Sequence, residues 1–292
     1  MPENKLASHL QLHLIVFIWG FTAVLGALIT IKEAHLVWFR MLFAGLFLLV
    51  YLLITKKSLK LPINEILKLV LVGFLIALHW IFFFKAINIS NVSVTLAMFS
   101  AGAFLASLLE PLFFNRRILW YEVLFGLIII AGLAMIMQVE IHYLSGMSFA
   151  LVSIFLGVIF TLLNGKLIQQ HDATVIAFYE FFAGFGLVTV YLLTNNSFNK
   201  SFFEISNHDL ILILLLASVC TAYAFTASVE VMKKLSPYTV MLTTNLEPVY
   251  GIFLAYFIIG GNEKMSISFY IGAVIILITV VLNGVVKRFS KF

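Results

Sequence analysis

The sequence predicts an all-α integral membrane protein of ten transmembrane helices, arranged as two inverted five-helix repeats. Three observations support this fold class. Hydrophobic residues make up 63% of the 292 residues and charged residues only 11%, which is too little polar surface to cover a soluble domain of this size. Ten apolar stretches are each long enough to cross a bilayer. The segment 21–55 also returns, in recognisable form, at 160–194.

The composition excludes several other classes of protein. The net charge is +5, but the basic residues are scattered through short connections and form no single polar face, so we expect no nucleic-acid partner. Cys220 is the single cysteine, so one chain contains no disulfide and no cysteine-rich metal site, and we expect no cofactor and no metal. Zinc-protease, serine-hydrolase and P-loop motifs are absent. Any transport must therefore draw on a gradient or on the substrate itself.

The apolar stretches give the predicted helices in order. They lie near residues 12–30, 36–54, 67–87, 92–114, 121–138, 146–168, 174–194, 210–232, 238–259 and 267–286. The first is too long for the core of a signal peptide, so we expect it to be a membrane span. Many connections are only a few residues long, so successive helices should lie antiparallel in the lipid bilayer.

The duplication divides the chain. Thirteen of the thirty-five residues in 21–55 recur 139 positions later, as Thr22 does at Thr161. The later helices match more weakly at a shift of 146. We expect a first repeat at 1–142 and a second at 143–292. Because each contains five helices, an odd number, the second must enter the membrane from the opposite side, which is the geometry that alternating access requires.

The basic residues predict the orientation. With the N-terminus inside, thirteen lysines and arginines of the connections lie on the cytoplasmic side, against three outside, Lys32, Lys200 and Lys264. Positive residues concentrate in short cytoplasmic loops. We therefore expect both termini in the cytoplasm and the protein in a bacterial cytoplasmic (inner) membrane.

Three short segments resemble a known family. They are the aromatic-glycine run 17–21, the Phe39-Arg40 pair, and the run from Leu246-Glu247-Pro248 to Gly260-Gly261-Asn262-Glu263. In order and spacing the chain is similar to the drug/metabolite transporter superfamily, in particular its EamA-type members, over essentially its whole length. The resemblance implies a secondary carrier of small metabolites, commonly amino acids. It also implies a central site formed chiefly by helices one, three, four, six, eight and nine.

The two halves differ where the family often has matching prolines. Gly102 stands at the position that corresponds to Pro248. A second Leu-Glu-Pro occurs at 109–111, but it lies 137 positions before 246–248, nine short of the local shift. The sequence therefore does not predict that helices four and nine are interrupted at matching points.

Glu247 is the strongest candidate for a functional residue. It lies about ten residues, roughly 15 Å, from either end of its predicted span. A carboxyl at that depth is costly unless it faces a partner or a water-filled cavity, and burial penalises its charged form, which would allow proton exchange near neutral pH. Pro248 frees a backbone carbonyl in the preceding turn. We expect Glu247 to couple protons or to bind a substrate amine; the alternative is a buried Glu that joins two helices.

Arg40 and Glu180 are charged residues that the duplication does not share. Arg40 corresponds to Tyr179, and Glu180 corresponds to Met41. Residues common to both copies are expected to be scaffold, whereas unshared polar residues are expected to shape the site. On this basis Arg40 is a candidate for attracting a carboxylate, and Glu180 for lining the pathway.

Six other residues combine an aromatic ring or an amide with a predicted position inside a helix. They are Trp19, His79, Trp80, Asn164, Tyr223 and Asn245. Such side chains suit a cavity for an amphiphilic solute. They suit hydrogen-bonded packing equally well, so both interpretations stay open.

The sequence thus favours a secondary transporter that exports a small organic metabolite, such as an amino acid or related zwitterion, by alternating access. Protons are a candidate coupling partner, and no enzyme activity is expected. Two alternatives remain open. One is a passive pore or lipid scramblase, and the other is a membrane-embedded enzyme that uses His79 with Glu180 or Glu247.

Overall fold

The structure, a computed structural model, describes residues 3–260 and 263–289, with side chains described over 6–260 and 263–286. All regular secondary structure in these ranges is helical. Gly261 and Asn262 of the sequence motif, Lys291 and the ends of the chain lie outside the described residues.

The helices follow the apolar stretches of the sequence closely. In chain order they are α1 (Glu3–Leu28), α2 (Glu33–Ile54), α3 (Ile63–Ile89), α4 (Val92–Phe99), α5 (Ala101–Phe114), α6 (Trp120–Val139), α7 (Leu144–Leu167), α8 (Ala173–Thr194), α9 (Lys200–Phe203), α10 (Asn207–Leu215), α11 (Ala224–Val231), α12 (Pro237–Thr244), α13 (Glu247–Ile258) and α14 (Ile267–Phe289). A π-helical segment, Leu216–Tyr223, joins α10 to α11.

The prediction of ten continuous spans is wrong in one respect. In the described part of the chain, nine helical segments are long and apolar enough to cross a membrane. The predicted helix at 238–259 is divided at Asn245 and Leu246 into α12 and α13. Pro248 has no N–H to donate to the carbonyl of Thr244, which weakens the helix at this point.

The matching helix of the first repeat is interrupted at the corresponding place. Ser100 forms a one-residue turn between α4 and α5, and it lies 146 positions before Leu246. The Asn245 side-chain nitrogen donates a hydrogen bond of 3.2 Å to the Ser100 carbonyl, and the bond is buried. The two halves therefore break symmetrically and are joined at the break, which the sequence did not predict.

The contacts between helices show the same symmetric relation between the two halves. Helix α1 packs against α12 and α13, just as α7 packs against α4 and α5, while α6 packs against its own counterpart α14. Helix α3 packs against α7, as α11 packs against α1. Equivalent helices thus meet equivalent partners, as expected for two inverted five-helix repeats.

Each interrupted helix begins at a carboxylate from the other half. The Glu263 carboxylate accepts hydrogen bonds from the backbone N–H groups of Val92 (3.0 Å) and Ser93 (2.9 Å), at the start of α4. The Glu110 carboxylate accepts one from the backbone N–H of Tyr238 (2.8 Å), at the start of α12. Carboxylates at these positions satisfy free backbone donors and complement the helix dipole.

Polar contacts join the two repeats at both ends of the bundle. We call the face at which α1 begins the N-terminal face. There the Lys57 ammonium lies 2.6 Å from the Asp172 carboxylate. Partial burial alone would raise the pKa of Asp172, but hydrogen bonds from Lys57 and the Thr174 backbone, with the Lys57 charge, outweigh it and lower the pKa. On the opposite face, the Asp209 carboxylate accepts hydrogen bonds from the Thr30 backbone N–H (3.0 Å) and hydroxyl (2.7 Å).

We predict that Gly73→Ala destabilises the packing of α3 on α8. A Cβ at Gly73 would lie 2.3 Å from the Glu180 carbonyl oxygen and 2.9 Å from the Ala183 Cβ, and such overpacking costs about 1–3 kcal/mol. The measurement is thermal unfolding of the detergent-solubilised protein. Gly186→Ala is the matched control, because a Cβ added there would meet no neighbouring side chain and no other helix within 4 Å. Equal melting temperatures for the two variants would contradict the close approach.

Candidate functional site

A cavity lies between the two repeats. It is lined by α1, α2, α3, α4, α7, α11, α12, α13 and the π-helical segment, so the six spans named from the sequence all contribute and α2 adds Arg40. Six of the nine predicted site residues line it: Trp19, Arg40, His79, Trp80, Asn164 and Glu247. The space in which the centre of a water molecule fits is about 80 Å³, which holds several waters or a small solute.

Arg40 supplies the positive charge of the cavity. Its side chain is only 2% exposed, its guanidinium carbon lies 3.7 Å from the centre of the Trp80 ring, and its Nε donates a 2.6 Å hydrogen bond to the Thr221 hydroxyl. Its Nη1 nitrogen has no hydrogen-bond partner among the described residues. The guanidinium is therefore held firmly on one side and keeps donor capacity for an acceptor in the cavity.

The π-helical segment explains why Thr221 can receive Arg40. The Thr221 hydroxyl donates a 2.7 Å hydrogen bond to the Leu216 carbonyl, five residues earlier, and so leaves its oxygen lone pairs for the guanidinium. Such widened turns are rare and occur frequently at functional sites. The same segment brings Cys220 to the cavity.

Glu247 supplies a carboxyl group to the cavity. It is the first residue of α13, directly after the interruption, and it is 6% exposed. No hydrogen bond or ion pair within the described chain engages its carboxylate, although it interacts electrostatically with Arg40. The guanidinium and the carboxyl group thus face one cavity, with no hydrogen bond or ion pair between them in the described chain, which leaves both able to bind a solute.

His79 is fixed by Ser153. Its Nδ1 lies 2.7 Å from the Ser153 carbonyl oxygen, and the Ser153 hydroxyl donates a 2.8 Å hydrogen bond to the His79 carbonyl. Because a carbonyl only accepts, the proton of the neutral ring is assigned to Nδ1. Nε2 is then an acceptor. Gly157 lies close to the ring, since a Cβ there would be 3.2 Å from Cε1.

Asn164 and Glu180 meet behind the cavity wall. Asn164 lines the cavity, and its side-chain nitrogen donates a 3.3 Å hydrogen bond to the Glu180 carboxylate. Glu180 does not line the cavity and is 0% exposed. The amide therefore lies between the carboxyl group and the cavity.

The structure brings the other two predicted residues elsewhere. Asn245 joins the two interrupted helices, as described above. Tyr223 is 48% exposed and borders a separate hollow beside Lys57 and Asp172. A part for either residue in substrate binding stays a prediction.

Sequence reasoning missed several polar residues of the site. Thr22 and Thr161 both line the cavity, although they are a duplicated pair and were expected to be scaffold. Thr221 and Ser153 hold Arg40 and His79 in place. The recurrence of Thr22 at Thr161 was not by itself a usable signal, because Thr55 also recurs at Thr194 and both of these lie exposed at helix ends.

Comparison with known proteins identifies the family. The sequence model of the EamA-like transporter family matches residues 7–138 and again 144–285. The chain belongs to the EamA-like transporter family. It is accordingly a multi-pass membrane transporter of the drug/metabolite transporter superfamily, and the family is one of transporters, not of enzymes.

A solved structure shares the fold of this EamA-like protein. A solved crystal structure of another protein superposes with a TM-score of 0.72 over 97% of this chain and 98% of that chain, at 14% sequence identity. At that identity the likeness shows the fold alone. No curated protein matches the sequence.

Among the described residues, no group of three or more His, Cys, Asp or Glu side chains is arranged to hold a metal ion.

We predict that Cys220 is accessible only to small thiol reagents. Cys220 is the single cysteine, is 2% exposed and lines the cavity. Methyl methanethiosulfonate should modify it in the folded protein, whereas a bulky fluorescent maleimide should do so only after denaturation; mass spectrometry measures both. Cys220→Ser removes the signal, and adding Tyr223→Cys in that background gives the control that reacts with both reagents. Rapid modification of native Cys220 by the bulky reagent would contradict a closed central cavity.

Proposed function

We propose that this EamA-like transporter carries a small zwitterionic metabolite, such as an amino acid, outward across the cytoplasmic membrane by alternating access. The observation that carries the proposal is the pairing of Arg40 and Glu247 at one cavity. The two groups are opposite in charge, and neither is neutralised by the other. A substrate carboxylate would bind at Arg40 and a substrate amine at Glu247.

The remaining cavity wall favours an amphiphilic solute. Trp19, Trp80, Phe83 and Phe160 offer aromatic faces, and His79 Nε2 offers an acceptor. The cavity is small, with about 80 Å³ of space for the centres of water molecules. These features suit an amino acid better than a lipid headgroup with its chains.

The inverted repeats support alternating access. Contacts join the halves at the N-terminal face through Lys57 and Asp172 and at the opposite face through Thr30 and Asp209. Because the halves are related by inversion, loosening either set of contacts opens the same cavity to one side. The distribution of lysine and arginine favours a cytoplasmic N-terminal face and a bacterial inner membrane.

The proposal is tested by counterflow in proteoliposomes. Vesicles loaded with unlabelled amino acid should accumulate the labelled compound in a saturable way, because a carrier exchanges its substrate. A passive pore or a scramblase shows no such trans-stimulation, and an embedded enzyme would convert the compound. Absence of counterflow across a panel of amino acids and related zwitterions would contradict the proposed substrate class. Accumulation of the metabolite in cells that lack the protein tests the outward direction.

We predict that Glu247→Gln weakens counterflow by about tenfold or more, since a hydrogen bond to a charged group contributes about 1.5–3 kcal/mol. Glu230→Gln is the matched control, because Glu230 is half-exposed and pairs with Lys233 outside the cavity. If Glu247→Gln also removes the pH dependence of transport, Glu247 carries a coupling proton. If the pH dependence survives, Glu247 serves the substrate amine only.

We predict that Arg40→Lys selectively impairs substrates that carry a carboxylate. Lysine keeps the charge but loses the fork of donors and the flat contact with Trp80. Affinity for an amino acid should fall about tenfold, whereas uptake of its decarboxylated amine should change little. Lys85→Arg, at the Glu33 ion pair, is the control for a conservative change of a basic residue. Equal loss for both compounds would place Arg40 in the scaffold.

A further inference from the structure

A second buried acid lies outside the substrate cavity and lacks a compensating charge. The Glu180 carboxyl is 0% exposed, and the Asn164 side chain that reaches it is 1% exposed. Their one hydrogen bond, from the Asn164 nitrogen to Glu180 Oε2, measures 3.3 Å. Glu180 Oε1 and the Asn164 side-chain oxygen have no partner among the described residues. An ionised carboxylate in such a place is strongly disfavoured.

The charged groups on the neighbouring helices do not engage Glu180. Arg40 of α2 lies over Trp80, His79 of α3 is held by Ser153, Lys166 of α7 faces the Phe113 ring, and Glu230 of α11 pairs with Lys233. Within the described residues, Asn164 is the one side chain that forms a hydrogen bond with Glu180. A proton is therefore the simplest cation that can compensate the carboxylate.

The first repeat shows that the fold does not require a polar pair at this place. At the shift of 139 positions, Glu180 corresponds to Met41 and Asn164 to Leu25. Met41 is 0% exposed and Leu25 is 2% exposed, so the equivalent site is packed with apolar side chains. A pair that served only to join helices would be dispensable, and a buried polar pair is less stabilising than well-packed apolar residues.

We propose that Glu180 and Asn164 form a proton-binding site, distinct from the Arg40 and Glu247 substrate site, that couples transport to protons. Binding forms an O–H bond at the Glu180 carboxyl and makes it neutral. The proton exchanges with the cavity past Asn164, which lines it. In the ionised state the Asn164 amide donates to the carboxylate; in the protonated state a rotated amide accepts the Glu180 hydroxyl through its own oxygen.

The proposed coupling of Glu180 protonation to transport rests on the proposed transport function. It is tested by the pH dependence of counterflow. Wild-type exchange should change with pH by up to about tenfold per pH unit, as expected for one proton. Glu180→Gln keeps the shape of the side chain but cannot ionise, so its exchange should proceed at a rate nearly independent of pH. Glu180→Met, which introduces the residue of the first repeat and leaves the cavity-lining Asn164 in place, should behave likewise. An unchanged pH profile in both variants would overturn the proposal.

Proton binding itself is tested without any substrate. The infrared difference spectrum of purified protein between low and high pH should contain the C=O stretch of a protonated carboxylic acid, shifted in D₂O. Because other carboxyl groups of the chain also titrate, the Glu180 contribution is the component of this signal that is lost in Glu180→Gln and retained in Glu247→Gln. A spectrum unaffected by Glu180→Gln shows that Glu180 does not titrate and overturns the site. If the band behaves as expected but wild-type protein shows no counterflow, the transport proposal fails while the proton site stands.

Discussion

The hydrogen bond from Asn245 to the Ser100 carbonyl holds together the two places where the membrane helices are broken. In hydrocarbon, an interrupted helix exposes backbone groups that water cannot satisfy, so irregular backbone survives only when it is buried in protein or lines a cavity. Here each break is buried against the other. The arrangement places Glu247 at the start of α13 and in the cavity wall. The position of the Glu247 carboxyl group therefore depends on the same hydrogen bond that joins the two interrupted helices.

Hydropathy located the helices well because a bilayer demands about twenty apolar residues per span, and a duplicated segment fixed the relation between the halves. It could not predict the break at Ser100. Proline marks the interruption in one half, at Pro248, whereas Gly102 occupies the equivalent position in the other. The packing of one break on the other shows that a turn at Ser100 interrupts the first helix at the place where the second is interrupted. The two backbones can be symmetric although their residues differ.

The site was predictable in part for a related reason. The polar side chains Arg40, His79, Asn164 and Glu247, which stand out within apolar spans, all line the cavity, and their part in transport stays a prediction. The sequence could not decide where Tyr223 lies, because helices that are apolar all round have no periodic stripe to show which face points inward. It also overlooked Thr221, whose exposure to Arg40 depends on a π-helical turn that composition does not encode.

The carboxylates that bind the starts of α4 and α12 each come from the other half of the chain, and this has a consequence for biogenesis. The first turn of α4 is completed by Glu263, a residue synthesised after all but the last helix, and α12 is completed by Glu110 of the first half. Each central helix is capped in part by its own half, at Asn91 and Ser236, and in part by the other half. The full set of hydrogen bonds at these helix ends can therefore form only after most of the second half has been synthesised.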